Sequence, residues 1–405
     1  MKSKGFSAKA VLVSLILATK MSWSQPQWAG LFHFAYQDGQ SASLFDFTNN
    51  HGGSGSFRVG QMTLFLDSDI TREIYFTGEV QSDLLSSAEE QTNFRIRSAA
   101  VTATNIPKWR TNLQFGKFNT IVGSHPDRRL PIDNALFDAP LAYTYRVNLD
   151  PDGGWVTPDE SFANSDIRRI GLIGKDMTQT GIKAFGRLGA SKLHYALAFT
   201  NNPVSNPRTV NVNNGISSAL KINWVADHST DFGFSYSQGG YLDSLAKLDA
   251  ANPSRDLDFG PALTGAALNP SNYQHYLYGF HWNWKRSRYE LNSEVLLSSF
   301  EVPNNPASKD LSAQAFYVQG KYHFTKNFFG AARFDSLSFD NTTYAPFTAG
   351  VTQKWDDDVI RYEVGVGSFL NPSMLAKFTY QNTDVDLPGN LLDSDLVAGS
   401  VTVIF

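Results

Sequence analysis

The feature that most constrains this chain is a period of two. From Tyr273 to Lys285, the side chains of Tyr276, Tyr278, Phe280, Trp282 and Trp284 alternate with His275, Leu277, Gly279, His281, Asn283 and Lys285. A strand points successive side chains to opposite faces, so one face here is aromatic and the other mostly polar. The rhythm returns where Tyr289, Leu291, Val295 and Leu297 alternate with Glu290, Asn292 and Glu294. It returns again where Phe316, Val318, Tyr322 and Phe324 alternate with Tyr317, Gln319, Lys321 and His323. Shorter stretches around Phe76, Phe115, Leu197 and Ile222 repeat it. Each runs about 10 to 14 residues, enough for a tilted strand to cross an outer membrane. After residue 24 no apolar run reaches about 18 residues, the length that would read as a membrane helix. A chain that spans lipid without helices must close into a barrel, because only then is every backbone group bonded.

The connections agree. Short turns are expected at Asp67-Ser68-Asp69, Asn105-Ile106-Pro107, Gly189-Ala190, Asp227-His228-Ser229, Lys285-Arg286-Ser287, Thr325-Lys326-Asn327 and Leu370-Asn371-Pro372-Ser373. Longer links are expected at 38–55, 83–90, 119–177, 202–214, 241–272, 301–310, 340–356 and 385–393. Seven short turns and eight long links make sixteen antiparallel strands, an even number that puts both ends on the side of the short turns. Ile167–Gly174 and Phe347–Trp355 are weakly strand-like. Both are assigned to links, because promoting either alone makes the count odd.

Lys2, Lys4 and Lys9, then the apolar core Ala10–Ala18 and the small residues Ser22 and Ser24, make residues 1–24 a secretory signal pattern, with cleavage expected before Gln25. Residues 25–405 are then one barrel. The net charge of −4 gives no reason to expect a nucleic-acid partner, and the absence of cysteine removes disulfides and thiol chemistry.

The link from Asn119 to Asp176 breaks the rhythm. A structureless run of about sixty residues in a compact domain is normally functional. It carries Arg128-Arg129, Arg168-Arg169 and many carboxylates. Within it, Asn148, Asp150, Asp152 and Gly153 match the start of a calcium-loop pattern and Asp159 its twelfth position. With no helices expected on either side, an Asp/Gly-rich turn is the favoured reading there, and no metal or cofactor is expected. No nucleophile elbow, zincin, phosphate loop or haem motif occurs, so the chain is not expected to be an enzyme.

The chain ends Val397, Gly399, Val401, Val403, Phe405. A closing strand with a terminal Phe resembles the assembly signal of outer-membrane barrels, and with the signal pattern it resembles the Gram-negative porins. LQFGKFNTIVG (Leu113–Gly123), NALFDAPLAY (Asn134–Tyr143) and RYEVGVGSFLNPSMLAKFTYQ (Arg361–Gln381) resemble the phosphate-selective and related anion-porin families. The resemblance implies a sixteen-stranded transmembrane β-barrel, a homotrimer in outer-membrane lipid and lipopolysaccharide, with a long third extracellular loop folded inward. The function it implies is passive diffusion of small hydrophilic solutes.

Taking each polar strand face as lumenal gives eleven bases, Arg95, Arg97, Arg110, Lys183, Lys192, Lys221, Lys285, Lys321, Arg333, Arg361 and Lys377. It gives six acids, Glu73, Glu79, Glu290, Glu294, Asp335 and Glu363. A lumen lined mainly by one sign enriches the opposite ion, so a modest anion preference is expected. The expected constriction sets Arg128, Arg129, Arg146, Asp133 and Asp138 of the link against Arg95, Arg97 and Arg110 of the wall. The competing readings are a substrate-specific outer-membrane transporter, a barrel sheath for a partner protein, and a barrel hydrolase, for which no Ser/His motif is found.

Overall fold

The computed structural model describes residues 26–39, 55–83, 93–106, 111–148, 169–174, 177–189, 191–207, 209–211, 215–241, 273–301, 310–342, 352–387 and 390–405. The signal pattern, Arg110 and nearly all of Asn148–Asp159 lie outside them. The first strands are β1 (Gln27–Gly39), β2 (Ser56–Asp69), β3 (Ile74–Asp83), β4 (Asn93–Ile106) and β5 (Thr111–Asn119). Within the third long link, β6 (Arg146–Asn148) and β7 (Arg169–Gly171) pair only with each other. Then come β8 (Thr178–Arg187), β9 (Leu193–Thr200), β10 (Ser217–Asp227), β11 (Thr230–Gly240), β12 (Gln274–Arg286) and β13 (Tyr289–Phe300). They are followed by β14 (Leu311–His323) and β15 (Phe328–Phe339). A second small pair, β16 (Asn341–Thr342) and β17 (Gln353–Lys354), precedes β18 (Asp358–Asn371), β19 (Met374–Leu387) and β20 (Asn390–Ile404).

The sixteen longer strands form one closed antiparallel barrel, each hydrogen-bonded to its neighbours in sequence order. Ile167–Gly174 and Phe347–Trp355 each hold a short strand, but neither joins the wall. Closure is made by β1 on β20, from Leu31 opposite Ile404 to Gly39 opposite Leu396. Phe405 extends it, since Gly30 N donates to its carbonyl at 2.7 Å and Phe405 N donates to Gly30 O at 3.0 Å. Closure leaves no unpaired edge, which is what lipid demands.

The outward face is apolar. Phe115, Ile182, Phe199, Trp224, Phe232, Phe280, Tyr362, Val364 and Phe378 are 41–55 % exposed. Their neighbours point inward and are buried, among them Gln114, Ser235, His281, Glu294, Gln319, Arg333, Asp335, Arg361, Glu363 and Lys377. This inverts the soluble pattern: the wet-type side chains lie inside and the greasy ones outside.

Three expectations change. β2 runs on to Asp69, so the first turn is Ile70–Glu73 rather than Asp67–Asp69. The last long link is not long: β19 reaches Leu387 and β20 starts at Asn390. Its Asp386, Pro388, Gly389 and Asn390 read as loop by composition, yet Val385 pairs with Leu392 and Asp386 with Leu391 in a regular ladder. Finally, Glu73, Lys192 and Lys285 are exposed at the turns rather than lumenal. Lys285 is 71 % exposed in its side chain and pairs with Glu290 at 2.8 Å.

Backbone crowding fixes the wall where the third link begins. Gly116 sits opposite Ala100 on one side and Gly181 on the other. Its φ is +123°, and a Cβ there would meet the Ala99 carbonyl oxygen at 2.2 Å. Gly116→Ala is expected to cost about 1–3 kcal/mol from the strained φ alone. Urea titration of the refolded barrel would measure it, and an unchanged midpoint would contradict this reading.

Candidate functional site

The link between β5 and β8 starts against the wall. Thr120 N donates to Met177 O at 2.8 Å, tying its two ends. A 3₁₀ turn follows at His125–Arg128, with Pro126 at its start, and later a single α turn at Leu141–Thr144. Ile121, Val122, Leu141, Ala142, Tyr143, Tyr145 and Val147 are buried in one apolar cluster with Leu277, Leu296, Phe300, Leu311, Tyr317, Leu337, Phe339 and Trp355 of the other side. The link is therefore covered by the inward faces of β12–β15 and the segment before β18.

Its polar groups are matched to inward-facing wall charges. Glu294 accepts from Ser124 N at 2.8 Å, Ser124 Oγ at 3.3 Å and the Tyr143 hydroxyl at 2.7 Å. Glu363 accepts from Phe137 N at 2.8 Å and Asp138 N at 3.3 Å. Lys377 Nζ donates to the carbonyls of Pro131, Asn134 and Leu136 at 2.7–3.1 Å. Arg333 donates to the carbonyls of Asp138 and Ala139 and to the carboxylates of Asp335 and Glu363. Buried charges are tolerable only with such partners.

Gly123 shows how closely the link is fitted. Its φ is +80°, and a Cβ there would lie 2.0 Å from the Tyr143 hydroxyl. Its N–H donates to Ser235 Oγ at 3.2 Å and its carbonyl accepts from Lys221 at 2.8 Å. His125 is buried beside Tyr143, with ring centroids 5.0 Å apart. Burial first, then the charges of Arg128, Arg333 and Arg129, hold its imidazole well below its ordinary range, so it is neutral at pH 7. Burial, followed by the charge of Glu294, pushes the Tyr143 hydroxyl well above its ordinary range, so it stays a donor.

The residues expected at the constriction divide. Arg128 donates to Asn283 Oδ1 at 3.3 Å, Ser124 Oγ at 3.1 Å and the Tyr317 hydroxyl at 3.0 Å. Arg129 pairs with Glu79, which also lies 3.5 Å from Arg97. Arg95 is half-buried on the same face of β4. Asp138 meets the wall through its backbone. Asp133 is exposed, as is Arg146 in the small β6–β7 sheet. Among the described residues no group of three His, Cys, Asp or Glu side chains could hold a metal ion.

Several wall charges counted toward selectivity thus anchor the link instead. The partners Ser124, Tyr143, Asn283 and Tyr317 were not expected, since nothing in a lone Ser, Asn or Tyr marks it in advance. What could be read was the pair of motifs Arg333-x-Asp335 and Arg361-x-Glu363, each placing opposite charges two residues apart on one inward face.

A cavity of about 640 Å³ lies beside the start of the link. Its lining includes Asn112, Gln114, Phe118, Lys183, Phe185, Tyr195, Lys221 and Asn223 of the wall, with Asp127 of the link.

No protein-family model matches the chain, and no curated protein matches it. Solved structures do. The outer-membrane channel DcaP of Acinetobacter baumannii aligns with a TM-score of 0.58 at 12 % identity over 100 % of both chains. The anion-selective porin from Comamonas acidovorans aligns with a TM-score of 0.58 at 8 % identity, over 95 % of this chain and 100 % of its own. This chain has the fold of the Gram-negative outer-membrane porins. A loop-deleted OmpT, an outer membrane protein of Vibrio cholerae, is similar too, with a TM-score of 0.55 at 10 % identity over 95 % of this chain and 100 % of its own. The porin-type barrel, greasy outside and closed, belongs in an outer membrane.

Proposed function

We propose that this porin-type barrel is a passive diffusion channel for small hydrophilic solutes. In this reading the link 119–177 narrows the lumen and the remaining opening modestly favours anions. The observation that carries it is the cavity beside the link, polar along much of its wall and lined by Lys183 and Lys221 with Asp127 as its acid. Support for a narrowed lumen comes from the hydrogen bonds that tie residues 123–139 to inward side chains of β3, β13, β15, β18 and β19. Arg128 and Arg129 then act first as tethers, and the field across the opening comes from Lys183, Lys221 and Asp127. The signal peptide at 1–24, a homotrimer and contact with lipopolysaccharide complete the proposal. No step of chemistry is involved.

The test is a planar-bilayer recording of the purified barrel. Stepwise conductance in KCl is expected, with a reversal potential on the anion side in a salt gradient. A cation-side reversal would remove the anion preference and leave the channel reading standing. Absence of steps would remove the channel reading.

A further inference from the structure

We infer that the cavity beside Lys183 is a binding subsite for a small univalent organic anion with a flat apolar body, of which an aromatic monocarboxylate is the simplest case. This rests on reading the cavity as part of the solute path.

The first argument is a count of charges. The lysines and arginine lining the cavity are Lys117, Lys183, Arg187 and Lys221, the His194 imidazole lines it too, and the carboxylate is that of Asp127. Lys117 is turned to the Ile96 carbonyl at 2.9 Å. Arg187 is turned to the Ser191 carbonyl at 2.5 Å, in the turn after β8. Lys221 is engaged by Gly123 O at 2.8 Å and lies 3.5 Å from Asp127. Lys183 makes no hydrogen bond or salt bridge among the described residues. Its ammonium sits 4.9 Å from the centre of the Phe118 ring and 5.0 Å from that of Phe185. One cation is left over, and it matches one negative charge. A phosphate dianion would need a second unengaged cation, or a bidentate guanidinium, converging on the same point.

The second argument is the lining. Phe118 and Phe185 hold rings against the ammonium and Tyr195 adds a third ring to the lining, while Asn112, Gln114 and Asn223 supply neutral hydrogen-bond groups. An inorganic ion gains nothing from the rings. A planar ring with one carboxylate can place its charge on Lys183 and its body against them. The residual opening therefore selects for amphiphilic monoanions among the anions that enter it.

The experiment is isothermal titration of the detergent-solubilised full chain with benzoate, acetate, benzamide and inorganic phosphate. Benzoate is expected to bind saturably and the other three at least about tenfold more weakly, the size of one charge-assisted bond. Lys183→Gln is expected to lose about tenfold in benzoate affinity and Lys183→Arg to keep most of it, because charge is the operative term. No saturable benzoate binding, equal binding of acetate or benzamide, tighter phosphate, or an unaltered Lys183→Gln would each overturn the inference. The channel reading is judged separately from the bilayer recording. A barrel that conducts but ignores benzoate sinks only the subsite, and one that binds benzoate without conducting sinks only the channel.

Discussion

Arg333→Ala is expected to be among the most damaging single changes in the barrel, costing about 3 kcal/mol of unfolding free energy. The guanidinium is buried, and its Nε reaches Asp335 at 2.8 Å while one Nη reaches Glu363 at 2.5 Å. The other Nη bonds the Asp138 carbonyl at 2.9 Å and the Gln319 side chain at 3.3 Å. Alanine leaves two carboxylates, at 0 % and 1 % exposure, without this cation and the Ala139 carbonyl without the guanidinium, while Asp138 O keeps its bond from Asn134 Nδ2 at 2.7 Å. Arg361, buried on the same inward face, keeps the loss toward the lower end of what breaking a buried pair costs. Lysine should recover only part, because an ammonium cannot reproduce the planar fork. Urea titration in detergent or lipid reads the effect. A loss within about 0.5 kcal/mol would mean the site behaves as ordinary surface.

Glu294→Ala is expected to do less to stability and more to conduction. Its carboxylate holds the start of the link through Ser124 and its middle through Tyr143. Removing it leaves the Ser124 N–H and two hydroxyls short of an acceptor in a buried place, a cost of about 2–4 kcal/mol if the link stays put. The link can avoid that cost by leaving the wall, which opens the lumen. Single-channel conductance is therefore expected to rise and its noise to increase, with Glu294→Gln intermediate because the amide keeps one acceptor oxygen. Unchanged conductance in the alanine variant would show that this anchor does not hold the constriction.

The wall could be read almost directly because it has a hard physical signature. Lipid on one side and polar groups on the other force a period of two, as Tyr278, Phe280 and Trp282 display against Leu277, Gly279 and His281. The closing strand ending in Phe405 was read by its resemblance to the assembly signal of outer-membrane barrels, and it pairs with the first strand. The last link was misread because Asp386, Pro388, Gly389 and Asn390 look like loop, whereas the backbone ladder of the two strands continues to Leu387 opposite Asn390. The site was legible in kind and not in detail. Charges on inward faces were correctly named for Lys183, Lys221, Glu294, Arg333 and Glu363. Whether each faces the opening or the link depends on how residues 120–148 fold, and that segment has no periodicity to read. Arg128 and Arg129 stand out in the sequence as charges, yet their partners Tyr317, Asn283 and Glu79 come from distant strands that only barrel closure brings together.

The central claim is that the closed barrel conducts small solutes past a link that narrows it. The most direct measurement is the conductance of the purified protein in a planar bilayer, before and after Glu294→Ala. Discrete steps that grow in the variant, with reversal on the anion side for both, are the expected result. A membrane that stays silent with both proteins would contradict the account.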